Sequence, residues 1–129
     1  PYAWLCDARY TLILQPQSAG QALRRYLAEE GFAVDTETLV QDAGFLYTVL
    51  RARYDGVPRR LTPGEQYVSP QLLKSGSGLL PAYLRRVAGA LSVTVQGLKN
   101  ADRPRPERQY YYEQALCEVL EMEKRYANG

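Results

Sequence analysis

The hydrophobic pattern at the start of the chain predicts a buried strand followed by a helix. Residues 10–14 form a continuous apolar run, which is typical of a strand buried on both faces, as in a parallel sheet. Pro16 ends this strand because it cannot donate a ladder hydrogen bond. Residues 18–30 then place apolar side chains at helical spacing, and Gly31 follows as a C-cap.

The next segment predicts a β-hairpin. Residues 32–40 and residues 45–52 are rich in β-branched and aromatic side chains, and residues 41–44 form the turn between them. Strand, helix, strand and strand together predict an α/β fold, at the edge of a mixed sheet. One crossover and one hairpin leave a sheet edge uncovered, so we expect half of a larger fold and self-association through that edge.

After residue 66 the pattern becomes helical. Residues 55–66 predict a loop or linker and residues 67–70 open a short helix, so we place domains at residues 1–66 and 67–129. Two long helices follow, with a turn over residues 100–106, and predict an antiparallel coiled coil. Their apolar stripes are Leu80, Leu84, Val87, Leu91, Val95 and Leu98 in the first helix, and Tyr112, Leu116, Val119, Met122 and Tyr126 in the second.

Composition excludes several kinds of active site. The 129 residues contain no histidine, which excludes Ser-His-Asp and Cys-His nucleophile systems and His-containing zinc sites. Cys6 and Cys117 are the only cysteines, so we expect reduced, buried thiols and no metal. No apolar run approaches the roughly 18 residues of a membrane span, and we expect a cytoplasmic protein without membrane contact. The chain begins at Pro1, which predicts a processed product or a piece of a longer protein.

The basic residues are concentrated in the middle of the chain. Residues 51–108 carry eleven basic and four acidic side chains, whereas the formal net charge of the whole chain is +2. Most of these basic residues are arginine, whose planar guanidinium group suits phosphate. This favours a polyanion as partner, and a merely solvated surface is the alternative.

Two short segments carry side chains that suit RNA. Gln15 and Gln17, with Pro16 between them, stand where the first strand ends, and their amides can hydrogen-bond the Watson–Crick edge of a base. Residues 110–112 are three tyrosines beside an arginine-rich turn, which suits stacking, although Tyr112 is expected to pack between the helices. An ordinary strand end and ordinary core tyrosines are the alternatives for both segments. The carboxylates of residues 118–123 predict a solvated helix face.

An ordered set of short strings carries a family resemblance. The strings are Leu12-Ile13-Leu14-Gln15-Pro16, Leu23-Arg24-Arg25-Tyr26-Leu27, Glu30-Gly31-Phe32 and Asp42-Ala43-Gly44-Phe45-Leu46-Tyr47. In this order, with two long helices after them, they resemble the bacterial tRNA (adenine(22)-N(1))-methyltransferase family over almost the whole chain. The chain departs from the family pattern at Gln17 (family Asn), Tyr26 (Trp), Thr48 (Glu) and Ser69 (Gly).

The resemblance implies a class I, S-adenosylmethionine-dependent methyltransferase with a Rossmann-like domain, of which this chain is the C-terminal part. The family's cofactor-binding motifs have no counterpart in the chain, so we expect S-adenosylmethionine to be bound mainly by upstream residues and the chain alone to be inactive. The substrate-base pocket implied by the resemblance consists of Gln15, Pro16, Gln17 and Tyr47. The residues expected to bind tRNA are Arg24, Arg59, Arg60, Arg85, Arg86, Arg103, Arg105 and Arg108. A non-catalytic RNA-binding module and a protein-interaction module remain the alternatives.

Overall fold

The computed structural model describes residues 6–16 and 20–126. The elements are, in chain order, β1 (Leu12–Leu14), α1 (Gly20–Glu29), β2 (Phe32–Asp42), β3 (Phe45–Tyr54), α2 (Pro63–Tyr67), α3 (Pro70–Leu73), α4 (Leu80–Lys99) and α5 (Pro106–Tyr126). The predicted strand, helix and hairpin are confirmed, as are the two long helices. No helix among the described residues is both long and apolar enough to cross a lipid bilayer.

The three strands form one sheet in the order β1-β3-β2, and β3 runs antiparallel to both neighbours. The predicted mixed sheet is therefore wrong for the described strands, because β3 lies between β1 and β2 and separates the two parallel strands. The hairpin turn needs only two residues, because Asp42 pairs directly with Phe45. Ala43 and Gly44 in this turn both have positive φ angles, of 51° and 82°. That combination matches the right-handed twist of the flanking strands, so β2 continues into the segment predicted as turn.

The prediction that β1 is buried on both faces is wrong for the described residues. Leu12 and Leu14 pack with α1 against a buried cluster that includes Leu27 and Leu50, but Ile13 points away and is 66% exposed. The reason is that α1 covers only one face of this sheet, and no described element covers the face that carries Ile13.

A β-bulge in β2 decides which of its side chains are buried. Val34 pairs with Ala52 and Thr36 pairs with Arg51, so one extra residue of β2 is inserted between them. Successive side chains of a strand alternate between its two faces. After the inserted residue, the positions that would otherwise point outward therefore point into the core. Phe32 is inward before the bulge, and Glu37 is inward after it.

α2 lies inside the segment predicted as a loop. Thr62 caps it by accepting a hydrogen bond from the Glu65 N–H, and the Glu65 carboxylate accepts one from the Thr62 N–H. This capping box satisfies two otherwise unpaired N–H groups, so five residues suffice for a helix that also packs against α5. The predicted domain boundary after residue 66 falls within α2.

α4 and α5 pack against each other over a common core. Leu84, Leu91 and Val95 of α4 are buried, as is Val119 of α5. Leu39 of β2 belongs to the same buried cluster, so the helices also pack on the sheet. The predicted apolar stripes are confirmed at all of these helical positions.

Two predictions about side-chain burial need correction. Cys6 and Cys117 are both exposed, not buried. Cys117 lies two residues before Val119 on α5, which turns it away from the core face. Glu118 is not part of a solvated face, because its carboxylate accepts a 3.0 Å hydrogen bond from the Gly64 N–H at the start of α2.

Candidate nucleic-acid interface

A groove opens where β1 ends and runs between the sheet and α4. One part of it, about 650 Å³, is lined by Gln15, Phe45, Tyr47 and Arg86, among others. Pro16 joins Tyr47 and Arg86 in lining the adjoining part, of about 200 Å³. We call the two parts together the strand-end groove. Three predicted pocket residues, Gln15, Pro16 and Tyr47, therefore lie around one groove.

Arg86 is held at the wall of the strand-end groove by two contacts. Its Nη1 donates a 2.8 Å hydrogen bond to the carbonyl oxygen of Leu46, and its Cζ lies 5.4 Å from the centre of the Tyr83 ring. The side chain is nevertheless exposed. A fixed, solvent-accessible guanidinium beside amide and aromatic side chains is suited to bind a nucleotide phosphate.

Beneath the groove lies a buried ion pair. Arg24 and Glu37 are 4% and 1% exposed, and Arg24 Nη2 lies 2.5 Å from Glu37 Oε2. Ser69 adds a 2.6 Å hydrogen bond to Glu37 Oε1. Arg24 Nη1 also donates to the Gln66 carbonyl at 3.0 Å. All polar groups of the pair thus have partners, which is what makes burying two charges tolerable.

The same pair connects the sheet to α4 through Tyr83. Arg24 Nη2 donates to the Tyr83 hydroxyl at 3.3 Å, and that hydroxyl donates to the Tyr67 carbonyl at 3.1 Å. Burial opposes the charge of Arg24, but the hydrogen bonds and charge of Glu37, with Tyr83, outweigh it and raise the pKa of Arg24. The ion pair is therefore the structural floor of the groove.

The prediction that Arg24 binds tRNA is accordingly corrected. Its guanidinium is buried and hydrogen-bonded to Glu37, Gln66 and Tyr83, so it cannot reach a phosphate. Arg24 lies three and four residues before Leu27 and Ala28 and shares their buried face of α1, whereas Arg25 is exposed one position later.

The other predicted arginines are exposed but lie in different places. Arg59 forms an ion pair with Asp55 in the loop after β3, and the Arg59 guanidinium lowers the pKa of that carboxyl. Arg60 lies beside it, and Arg85 is exposed next to Arg86 on α4. Arg103, Arg105 and Arg108 are exposed around the connection between α4 and α5. Since α4 rises about 1.5 Å per residue, that connection lies about 20 Å from Arg86.

The other candidate side chains for RNA contact are Gln17 and the tyrosines of residues 110–112, and the tyrosines differ in exposure. Gln17 lies outside the described residues. Tyr110 is 70% exposed, whereas Tyr111 donates a hydrogen bond to Gln66 and Tyr112 packs against the helical core.

Comparison with known proteins identifies the relatives of this chain. The model of the family described as TrmK: tRNA (adenine(22)-N(1))-methyltransferase matches residues 6–121, which is most of the chain. The chain belongs to this family. The prediction drawn from the ordered strings in the sequence is thereby confirmed.

Individual relatives agree with the family match. A curated protein of Mycoplasma pneumoniae that carries a tRNA methyltransferase name is 37% identical over 62 residues, covering 47% of this chain and 29% of that protein. A Streptococcus agalactiae protein of the NADB-Rossmann superfamily shares the fold with a TM-score of 0.65 at 21% identity, covering 88% of this chain and 47% of its own. A Streptococcus pneumoniae structure in complex with S-adenosyl-L-methionine has a TM-score of 0.62 at 21% identity. The match covers 88% of this chain and 47% of the Streptococcus pneumoniae chain.

These coverages define what the chain contains of a TrmK-family protein. It spans about half the length of the solved structures that it matches, and less than a third of the curated relative.

At Gly20, the first residue of α1, the described residues leave no open space for an adenosyl cofactor. Gly20 is the only glycine between β1 and the first turn of α1. A Cβ built there would lie 3.3 Å from Arg24 Nη1 and 3.7 Å from Pro16 Cγ, so the protein's own side chains fill the space. Within the described residues, no three His, Cys, Asp or Glu side chains are grouped to hold a metal ion.

Sequence reasoning missed two contributors to the groove. Tyr83 and Glu37 hold the floor together, yet Tyr83 falls outside the predicted apolar stripe of α4 and Glu37 falls on the polar side of the predicted strand. Only the bulge in β2 brings Glu37 inside, and no local sequence signal marks it.

Proposed function

We propose that this chain is the substrate-side part of an S-adenosylmethionine-dependent enzyme that methylates N1 of an adenine in tRNA. The observation that carries the proposal is the meeting of Gln15, Tyr47 and Arg86 around one groove in a chain of the TrmK family. The complete enzyme works in the cytoplasm, and S-adenosylmethionine, held mainly by residues outside this chain, supplies the methyl group. The chain alone is inactive in this proposal.

The proposed methyl transfer requires the groove residues to position the adenine more than to transfer a proton. Adenine N1 carries an unprotonated lone pair at neutral pH, so no general base is needed to activate it. The base must leave its stack, be recognised on its Watson–Crick edge and be held still. In the proposal, Gln15 and Gln17 contact the edge of the base, Pro16 forms the pocket wall and Tyr47 packs behind the base.

The exposed arginines bind the tRNA body in this proposal. Arg86 lines the groove and Arg85 lies next to it on α4, while Arg59 and Arg60 offer a separate basic site in the loop after β3. The more distant residues are Arg103, Arg105 and Arg108. We further propose that α4 and α5 form an antiparallel coiled coil that presents this distant group to the tRNA.

The role of Gln15 is tested by Gln15→Ala in the complete enzyme. We expect kcat to fall by about a hundredfold with little change in tRNA affinity, because a misplaced base loses alignment more than binding. Gln114→Ala, an exposed glutamine on α5, is the matched control and keeps the wild-type rate. An unchanged kcat in Gln15→Ala would remove Gln15 from the pocket and favour a non-catalytic role for this chain.

The arginine surface is tested by Arg85→Glu, since Arg85 is exposed and no hydrogen bond to the sheet holds it. Losing one phosphate contact should weaken tRNA binding and reduce the slope of log affinity against log salt by about 1. Lys74→Glu changes the net charge equally at another exposed position and serves as control. Equal effects of both variants would mean that only net charge matters and that α4 is not the tRNA-binding surface.

A further inference from the structure

A second cleft, of about 410 Å³, lies between α1, α2 and α5 and takes no part in the pocket proposed above. Its wall is unusually rich in aromatic side chains. We call it the tyrosine cleft, and its relevant lining residues are Tyr26, Tyr67, Tyr111 and Tyr112, with Gln21 and Arg25.

The tyrosines offer ring surface in a fixed arrangement. Tyr26 is 55% exposed and belongs to neither buried cluster, so its ring is available for contact. Tyr111 and Tyr112 meet edge to face, with ring centres 5.1 Å apart at 84°. Tyr111 is also anchored by its hydrogen bond to Gln66. Burial, with the neighbouring tyrosines, raises the pKa of Tyr67, so its hydroxyl stays a neutral donor.

The tyrosine cleft is continuous with the strand-end groove. Gln21 and Tyr67 line both the tyrosine cleft and the part of the strand-end groove that contains Tyr47. A third cavity, of about 300 Å³, is lined by the same two residues together with Arg86 and Tyr112. A single-stranded chain lying in the strand-end groove would therefore continue into the tyrosine cleft.

We propose that the tyrosine cleft binds an unstacked nucleotide of the RNA near the target adenosine, an inference that rests on the proposed function. Tyrosine rings stack on any base, and the exposed Arg25 can bind the phosphate. Arg25 is paired with Glu29 at 3.1 Å, but both side chains are more than half exposed, so exchanging this partner for a phosphate costs little.

Binding of a short RNA tests the inference directly. The probe is a single-stranded oligoadenylate of about six nucleotides, titrated into the 129-residue chain. Tyr26→Ala should weaken binding by about fivefold to a hundredfold, because one stacking partner is lost. Tyr26→Phe keeps the ring and should keep the affinity. Tyr110→Ala, an exposed tyrosine of α5 outside the cleft, should also bind as the wild type does.

Three results would overturn the inference. They are wild-type affinity in Tyr26→Ala, equal losses in Tyr26→Ala and Tyr110→Ala, and no binding of the oligoadenylate by the wild-type chain. Association between copies of the chain that Tyr26→Ala abolishes without affecting RNA would show that the cleft holds a protein segment instead.

The proposed function is tested by a different measurement, the kcat of Gln15→Ala, so the two hypotheses can fail separately. If Tyr26→Ala loses oligoadenylate binding while Gln15→Ala leaves kcat unchanged, the tyrosine cleft stands as an RNA-binding surface and the base pocket does not. If Gln15→Ala loses turnover while Tyr26→Ala binds normally, only the inference about the cleft is lost.

Discussion

Arg24 and Glu37 show how a single pair of residues joins the parts of this molecule. One lies on α1 and the other on β2, and their partners come from α2, α4 and the cap of α3. Each charge is tolerated in the interior only because the other is present. The pair therefore links the sheet to the helices beneath the strand-end groove.

Breaking this pair should cost far more than removing it completely. We expect Arg24→Met or Glu37→Leu alone to lower the free energy of unfolding by about 3–5 kcal/mol, because each leaves an uncompensated buried charge. The double variant should recover most of that loss. Urea denaturation of the four proteins measures the coupling, and additive losses would contradict the expectation.

Tyr67 gives a pH dependence at the same scale. Burial raises the pKa of Tyr67 above the ordinary value of 10.0. At pH values just above about 10, the folded chain therefore keeps a proton on Tyr67 that the unfolded chain has released. The stabilising effect is complete below pH 10 or so and is lost as the pH rises through the higher folded pKa.

We therefore expect the free energy of unfolding to decline as the pH rises above about 10, and to decline less steeply in Tyr67→Phe. Tyr110→Phe, which alters an exposed ring, should follow the wild-type curve. Identical slopes in all three proteins would contradict the assignment to Tyr67.

At the scale of elements, α2 is held against α5 by close packing at a glycine. A Cβ built on Gly64 would lie 2.4 Å from Glu118 Cβ, closer than real side chains approach. The Glu118 Cβ is attached directly to the α5 backbone, so the two helices would have to separate. Gly89, on α4, has open space around it.

Two glycine-to-alanine substitutions should therefore have opposite effects. Gly64→Ala should destabilise the chain by about 1–3 kcal/mol through overpacking. Gly89→Ala should stabilise it by up to about 1 kcal/mol, because alanine loses less backbone entropy in a helix. Thermal or urea unfolding of both variants measures the difference, and stabilisation in both would mean that α2 and α5 pack less closely.

At the scale of the whole molecule, the sheet is open on one side. β1 has β3 as its only partner strand among the described residues, and Ile13 on it is 66% exposed. Unpaired edges with exposed apolar side chains are sites where sheets associate.

We expect the isolated chain to self-associate with rising concentration and Ile13→Lys to suppress this, since lysine on an edge strand discourages pairing. Val93→Lys introduces the same charge at a 74% exposed position on α4 and should leave association unchanged. Sedimentation velocity over a range of concentrations distinguishes them. Suppression by Val93→Lys instead would identify the helical surface as the contact.

Local patterns were sufficient for every long element and for part of the groove. The helical stripes of α4 and α5, the C-cap at Gly31 and the β2–β3 hairpin each depend on neighbours within a few residues. The α2 helix could have been predicted too, because Thr62 and Glu65 stand at the spacing of a capping box. Gln15 and Pro16 were predicted from their place at a strand end, and both line the strand-end groove.

The sequence by itself thus determined the order of elements, the family and the strand end that lines the groove, because these follow from short-range periodicity and ordered motifs. The tertiary structure decided which charges are buried. The bulge in β2 turns Glu37 inward. Arg24 is buried as its ion-pair partner, whereas Arg25 is exposed. Burial of a charge depends on whether a partner from a distant element meets it in a low-dielectric interior, and that meeting is not encoded at either position alone.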